Sequence, residues 1–247
     1  MGARNSPFAA SALRAAVAAL ALLAASAFAA PIGEITHLSG TLVATRADGS
    51  SRVLAPKSTV ETGETLTTAA DTYARVKFRD GGEITLRPES QFRVETYQFD
   101  AAKPQGDNLV MTLVKGGLRA ITGLLGKRRS ESYQLRAGVA TIGVRGTNYG
   151  AFLCQNDCGN VHDNSGKAPQ NGLHVDVAEG TISVTNQGGT SLFSQGAFGF
   201  VPNALTLPVT VPSGQGLNLP APPLGGRPGI PGATAAASSS GQICVVE

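Results

Sequence analysis

Residue types that could do chemistry crowd into one stretch of this 247-residue chain. Cys154 and Cys158 stand there with Asp157, Asn160, Asp163 and Asn164, followed by His162, His174, Asp176 and Glu179. Two cysteines four positions apart in the polar run QNDCGN, with Gly159 beside them, can close a tight loop as a disulfide if the compartment is oxidising. A zinc site is the sharper alternative, but His162 and Asp163 lack the paired ligand spacings of zinc frameworks. Calcium would use Asp157, Asn160, Asp163 and Asn164, yet the interleaved acids and closing Glu of an EF-hand loop are missing, and an Asx-turn loop accounts for the same residues. None of His37, His162 or His174 sits in a zinc, nucleophile-elbow or phosphate-loop signature. Asp176 and Glu179 could supply paired carboxyls for glycoside chemistry, which keeps a carbohydrate-active enzyme as the remote alternative. The expectation is a non-enzymatic protein with no catalytic residues, no metal and no cofactor.

The redox premise comes from the amino terminus. Arg4 and Arg14 precede the uncharged apolar run 15–25, and Ala27 and Ala29 provide small residues at the positions signal peptidase reads. Cleavage after Ala29 is expected, leaving a mature chain that starts at Ala30. The apolar run falls short of the roughly 20 residues that span a bilayer, and no later stretch approaches that length. No Cys follows the signal directly, which removes the lipoprotein reading. The expected location is the periplasm of a Gram-negative envelope, or beyond it. Charged residues make up 15% of the chain and the net charge is +3, so nothing demands nucleic acid. The basic cluster Lys127, Arg128 and Arg129 reads as a solvated loop.

The elements that must position these residues read as strands. Residues 35–45 and 73–78 alternate apolar and polar side chains, placing Ala74, Val76 and Phe78 on one buried face. Asp80, Gly81 and Gly82 turn the chain into 83–87, and 92–99 follows Pro88. Further strands are expected over 109–113, 118–121, 133–135, 141–144, 149–153, 173–177, 181–185 and 198–201. Helical periodicity is scarce, with 121–125 the best short candidate. Gly40, Gly117 and Gly180 each read as opening a short apolar strand. A jelly-roll-like β-sandwich or rolled sheet is the expected fold, and a short irregular β-helix the alternative. From Pro202 the chain holds more than half of its 14 prolines and only Arg227 and Glu247 as charges, which reads as a low-complexity, disordered tail over 202–247. Cys244 could clip that tail down, and the terminal ICVVE could be a contact point.

ATIGVRGT at 140–147, TGETLTTAADTYARVKFRDGGEITLRPES at 62–90 and VDVAEGTISVTNQGG at 175–189, followed by Gly196, together resemble the FecR domain. The resemblance runs from Ile35 to about Val201, so the expected organisation is a signal peptide (1–29), a FecR-like domain (30–201) and the tail. It implies an all-β extracytoplasmic domain with no catalytic residues to carry over. Gly143, Arg145, Gly146 and Thr147 fall on the family motif and are read as structural, with Arg145 fixed by backbone carbonyls at a strand end and Gly146 relieving a bend. Founding members of that family relay a signal from an outer-membrane transporter to a cytoplasmic sigma factor. This sequence departs from them, showing neither a sigma-binding segment nor a membrane helix. What the resemblance implies is a binding or sensory-accessory module that contacts an envelope protein or glycan through sheet edges and the 154–171 loop. A structural or adhesive surface protein is the second reading, motivated by the low charge and the tail.

Overall fold

Alternating side chains become alternating burial in the computed structural model, which describes residues 30–220. The expected signal peptide and residues 221–247, with Cys244, lie outside the described residues. The strands are β1 (Pro31–Leu38), β2 (Leu42–Thr45), β3 (Ser51–Leu54), β4 (Thr59–Glu61), β5 (Thr65–Thr68), β6 (Ala74–Phe78), β7 (Glu83–Leu86) and β8 (Gln91–Gln98). They continue as β9 (Asn108–Ile121), β10 (Tyr133–Ala137), β11 (Ala140–Cys154), β12 (Gly172–Asn186), β13 (Gly189–Ser194), β14 (Phe198–Val201) and β15 (Val209–Val211). In β6 the expected face, Ala74, Val76 and Phe78, is the buried one.

All fifteen strands join one all-β sheet that doubles over on itself. The amino-terminal half of β9 lies between β8 and β10, and its carboxyl-terminal half lies between β7 and β11. Strand β11 likewise pairs with β10 through Ala140–Ile142 and with β9 through Asn148–Leu153. Strand β12 follows β11 throughout, with β14 beside its first half and β13 beside its second. Three long strands thus pass from one layer to the other, the device by which sandwiches turn corners. Side chains from both layers, including Phe92, Met111, Leu135, Tyr149 and Val184, fill a single core. Among the described residues β9–β10 is the one parallel pair, so the β-helix alternative, which stacks parallel ladders, does not hold.

Each corner falls at a glycine in the left-handed region: Gly116 (φ +75°) in β9, Gly146 (φ +60°) in β11 and Gly180 (φ +80°) in β12. This corrects the strand reading. The separate segments 109–113 and 118–121 are one strand, as are 141–144 with 149–153 and 173–177 with 181–185. Gly180 does not open a strand but bends a continuous one, and Gly117 sits next to such a bend. Residues 35–45, by contrast, break at Ser39 and Gly40 into β1 and β2.

The carboxyl-terminal end of β9 and the β11 corner are clasped together. Thr122 and Thr147, both buried, exchange bonds: the Thr122 amide donates to the Thr147 carbonyl at 2.9 Å, and the Thr147 amide donates to Thr122 Oγ1 at 3.1 Å. After that clasp comes a short helix, α1 (Leu124–Arg128), one turn later than the 121–125 reading. Buried Asp80 of the β6–β7 turn accepts the Leu125 amide at 3.2 Å and so fixes where the helix begins. The basic cluster differs from its solvated-loop reading as well. Arg128 pairs with buried Asp107 at 2.6 Å and its guanidinium lies over Phe99, while Arg129 pairs with Glu131 at 3.0 Å.

Beyond Val201 the chain stays folded further than the tail boundary allowed. Strand β15 pairs with β14, and Leu217 and Leu219 are buried. Composition suggested no core-forming capacity there, but two leucines on one side of an extended segment suffice when a groove already waits for them.

Candidate functional site

The outer face of the layer holding β7, β9, β11 and β12 carries the chemistry. Register places Arg119 (β9), Gly150 (β11) and Asp176 (β12) in one row across three adjacent strands. Arg119 and Asp176 meet over the bare backbone of Gly150, with Arg119 Nη2 to Asp176 Oδ2 at 2.9 Å and both side chains 7% exposed. A Cβ on Gly150 would collide with Asp176 Oδ1, so the glycine is what lets the two charges reach each other. Burial pushes the Asp176 carboxyl up and the Arg119 guanidinium down, each against the opposing charge of the other. Arg119 Nη1 and Asp176 Oδ1 are buried with no hydrogen-bond partner.

Next to this row stand Phe152 and the loop joining β11 to β12. Cys154 and Cys158 are joined by a disulfide with a Cα–Cα distance of 5.6 Å, and both are buried. The stem of the loop is tied by a reciprocal pair, the Asn156 amide to Asn171 Oδ1 at 2.7 Å and Asn171 Nδ2 to Asn156 Oδ1 at 2.6 Å. Asp163 Oδ1 accepts the Ser165 amide, the Ser165 hydroxyl and the Lys167 amide, the Asx-turn chemistry expected of it. Those bonds hold the Asp163 carboxyl below its ordinary value. Asp157 Oδ1 accepts the Gln155 amide at 2.9 Å. Asp157 also pairs with Lys115 of β9 at 3.6 Å. Closing a five-residue loop removes chain entropy worth about 2 kcal/mol. Replacing Cys158 by serine is therefore expected to lower unfolding free energy by about that amount in urea titrations.

Residues 213–220 run across this face as a strap, a 3-10 turn over Ser213–Gln215 followed by an extended stretch from Gly216 to Pro220. Asn164 Nδ2 donates to the Ser213 carbonyl at 2.7 Å and the Asn164 amide to the Gly216 carbonyl at 2.9 Å. Arg119 Nε donates to the Leu219 carbonyl at 2.8 Å, and Arg87 Nη1 to the Pro220 carbonyl at 3.4 Å. Leu217 and Leu219 pack with Phe152, Cys154 and Cys158 in a small apolar cluster separate from the main core, with Val161 against it.

Two clefts flank the strap and the loop. One, of about 400 Å³, is lined by Tyr73, Arg87, Lys115, Phe152, Asp157 and Val161. The other, of about 410 Å³, includes Asp163, Lys167, His174, Phe200 and Gln215. His174 lies against the Phe200 ring at 4.6 Å between centroids, and its Nε2 is 2.8 Å from the Gln170 carbonyl oxygen. Burial holds its imidazole below the ordinary 6.5.

Residues singled out in the sequence are dispersed by this geometry. The carboxyl pair does not form: Asp176 is committed to Arg119, while Glu179 is exposed near the β12 bend. In the motif, Gly146 sits at the β11 corner and Thr147 in the clasp, and a Cβ on Gly143 would press on Ser183 Oγ. Arg145 departs from its reading. Its side chain is exposed and makes no hydrogen bond or ion pair among the described residues, at the point where the β11–β12 register shifts between Arg145 and Asn148. Arg119, Gly150, Leu217 and Leu219 went unrecognised. The available signals were a lone arginine between Leu118 and Ala120 and an aspartate between Val175 and Val177, each a charge inside an apolar run.

Against known proteins, residues 64–183 match the model of a family described as FecR protein. Two crystal structures of a candidate anti-sigma factor from Parabacteroides distasonis are each 14% identical with a TM-score of 0.43, the match covering 60% of this chain. The chain spans 58% of the length of those solved proteins. No curated protein matches it.

Proposed function

Because this chain carries a FecR domain over residues 64–183, we propose that it is an exported, non-enzymatic recognition module of the bacterial envelope that reports to another protein. The FecR family is one of envelope-associated regulators, and no helix among the described residues is long and apolar enough to cross a membrane. The signal-peptide pattern at residues 1–29 supports export with cleavage after Ala29, and the Cys154–Cys158 disulfide suits the oxidising compartment that export implies. Signalling in this reading passes through a bound partner, an envelope protein held at the 155–171 loop.

The family match carries this proposal, since the matched range encloses that loop, the cleft lined by Tyr73, Arg87 and Lys115, and the Arg119–Asp176 pair, while the second cleft takes part of its lining from residues 199–217. The loop is pinned at its start by the disulfide and at its stem by Asn156 and Asn171, so it presents a preformed surface and loses little entropy on binding. A photo-crosslinking residue at Val161 or Lys167, activated in intact cells and followed by mass spectrometry, should recover one dominant envelope protein. A diffuse pattern across the envelope would favour the structural or adhesive reading instead. Amino-terminal sequencing of the same purified material is expected to begin at Ala30.

A further inference from the structure

We propose that the outer groove of β9, β11 and β12 is a binding site for an extended, uncharged Leu-x-Leu peptide carried by a partner protein, held shut in this chain by residues 213–220. The inference rests on the reading of the chain as a recognition module and names the chemistry it recognises.

The strap has the character of a ligand. Leu217 and Leu219 are buried at 3% and 0% exposure while Asn218 and Pro220 between and after them are exposed, the alternation of an extended chain pressing one face on a surface. It joins no strand ladder. Four of its carbonyls, those of Ser213, Gly216, Leu219 and Pro220, are read instead by Asn164, Arg119 and Arg87. Recognition through backbone carbonyls and two apolar anchors specifies a conformation and a spacing, so any extended segment with leucines two apart meets the same contacts.

The groove is also larger and more polar than its occupant requires. Arg119 Nη1 and Asp176 Oδ1 stay buried and unpartnered beneath the strap, and buried polar groups are ordinarily satisfied. Arg87, which holds Pro220, lines one cleft, while Gln215 and Leu217 line the other. A larger ligand therefore finds open space beside the strap on either flank. Charge is matched as well. Arg119 and Asp176 neutralise each other, which favours a ligand whose core carries none, as the 213–220 segment does.

A covalently attached occupant competes at an effective concentration that reaches roughly millimolar for short links. The fluorescently labelled peptide GQGLNLP, residues 214–220, should thus bind the unmodified full chain weakly. It should bind the full-chain L217S/L219S variant at least about ten-fold more tightly, because that variant vacates the groove. The peptide GQGSNSP should bind neither. Equal binding of GQGLNLP to both chains, or equal binding of the two peptides, overturns the proposal. Should the variant fail to fold, hydrogen exchange on the unmodified chain decides: saturating GQGLNLP must speed exchange at the amides of residues 213–220, and no change there overturns the proposal. Dimers formed by exchange of this segment between copies would also overturn it, assigning the groove to a second copy of the chain. Purified components suffice, so a failed cellular crosslink and a failed peptide titration are separate results.

Discussion

Gly180→Val is expected to leave the protein unable to hold its fold, with a loss of at least about 4 kcal/mol where most single substitutions cost far less. Two penalties coincide there. A β-branched residue at φ +80° carries a backbone cost of about 1–3 kcal/mol, and the new Cβ would run into the carbonyl oxygen of Gly146 on the neighbouring strand. Backbone cannot swing aside as a side chain does, and moving it would undo the corner that β11 and β12 turn together. Gly146→Ala provides the control. It shares the positive φ of +60°, but no atom lies within 4 Å of its Cβ position. Strain alone should then cost about 1–2 kcal/mol. Urea or thermal unfolding of the pair separates the two contributions, and equal losses would show that collision at Gly180 contributes nothing.

Arg119→Ala should be nearly as damaging, at about 3–5 kcal/mol near neutral pH, since it strands the buried Asp176 carboxylate and removes the donor to the Leu219 carbonyl. The loss has a pH signature. Burial already raises the Asp176 carboxyl above its ordinary 3.8, and removing the guanidinium raises it further. A carboxyl whose folded pKa exceeds its unfolded one takes up its proton first in the folded state. Its effect on stability is therefore most favourable at low pH and is lost as pH rises from 3.8 through the folded value. The deficit of Arg119→Ala should accordingly shrink as pH is lowered from 7 toward 4. A double change of Arg119 to Met and Asp176 to Leu should recover much of the stability, because no buried charge is left alone. A deficit that does not vary with pH would mean that Asp176 finds another partner.

The same two sites separate readings that came from local pattern from those that did not. Period-two alternation around Ala74, Val76 and Phe78 marked a buried face correctly because pleat geometry sends successive side chains to opposite sides whatever the rest of the chain does. The FecR resemblance was legible for a similar reason, being carried by contiguous blocks such as ATIGVRGT. Glycines misled. Gly180, and Gly117 beside the β9 bend, were read as strand entries because a run of apolar residues follows each, whereas the paired segments around them show one continuous strand bending. A left-handed residue looks the same in sequence whether it ends a strand or turns it.

The recognition groove lay furthest out of reach. Arg119 and Asp176 are 57 positions apart, and Leu219 is 100 positions from the arginine that holds it. Nothing local links them. The sequence marked an all-β chain, a tight cysteine pair and a compositional change at Pro202, all of which follow from short-range chemistry. Tertiary structure alone revealed that three long strands share two layers, that Gly150 clears the space in which two charges meet, and that residues 213–220 return to cover them. Such facts depend on register across strands, and register is set by the packing of the whole core rather than by any one segment.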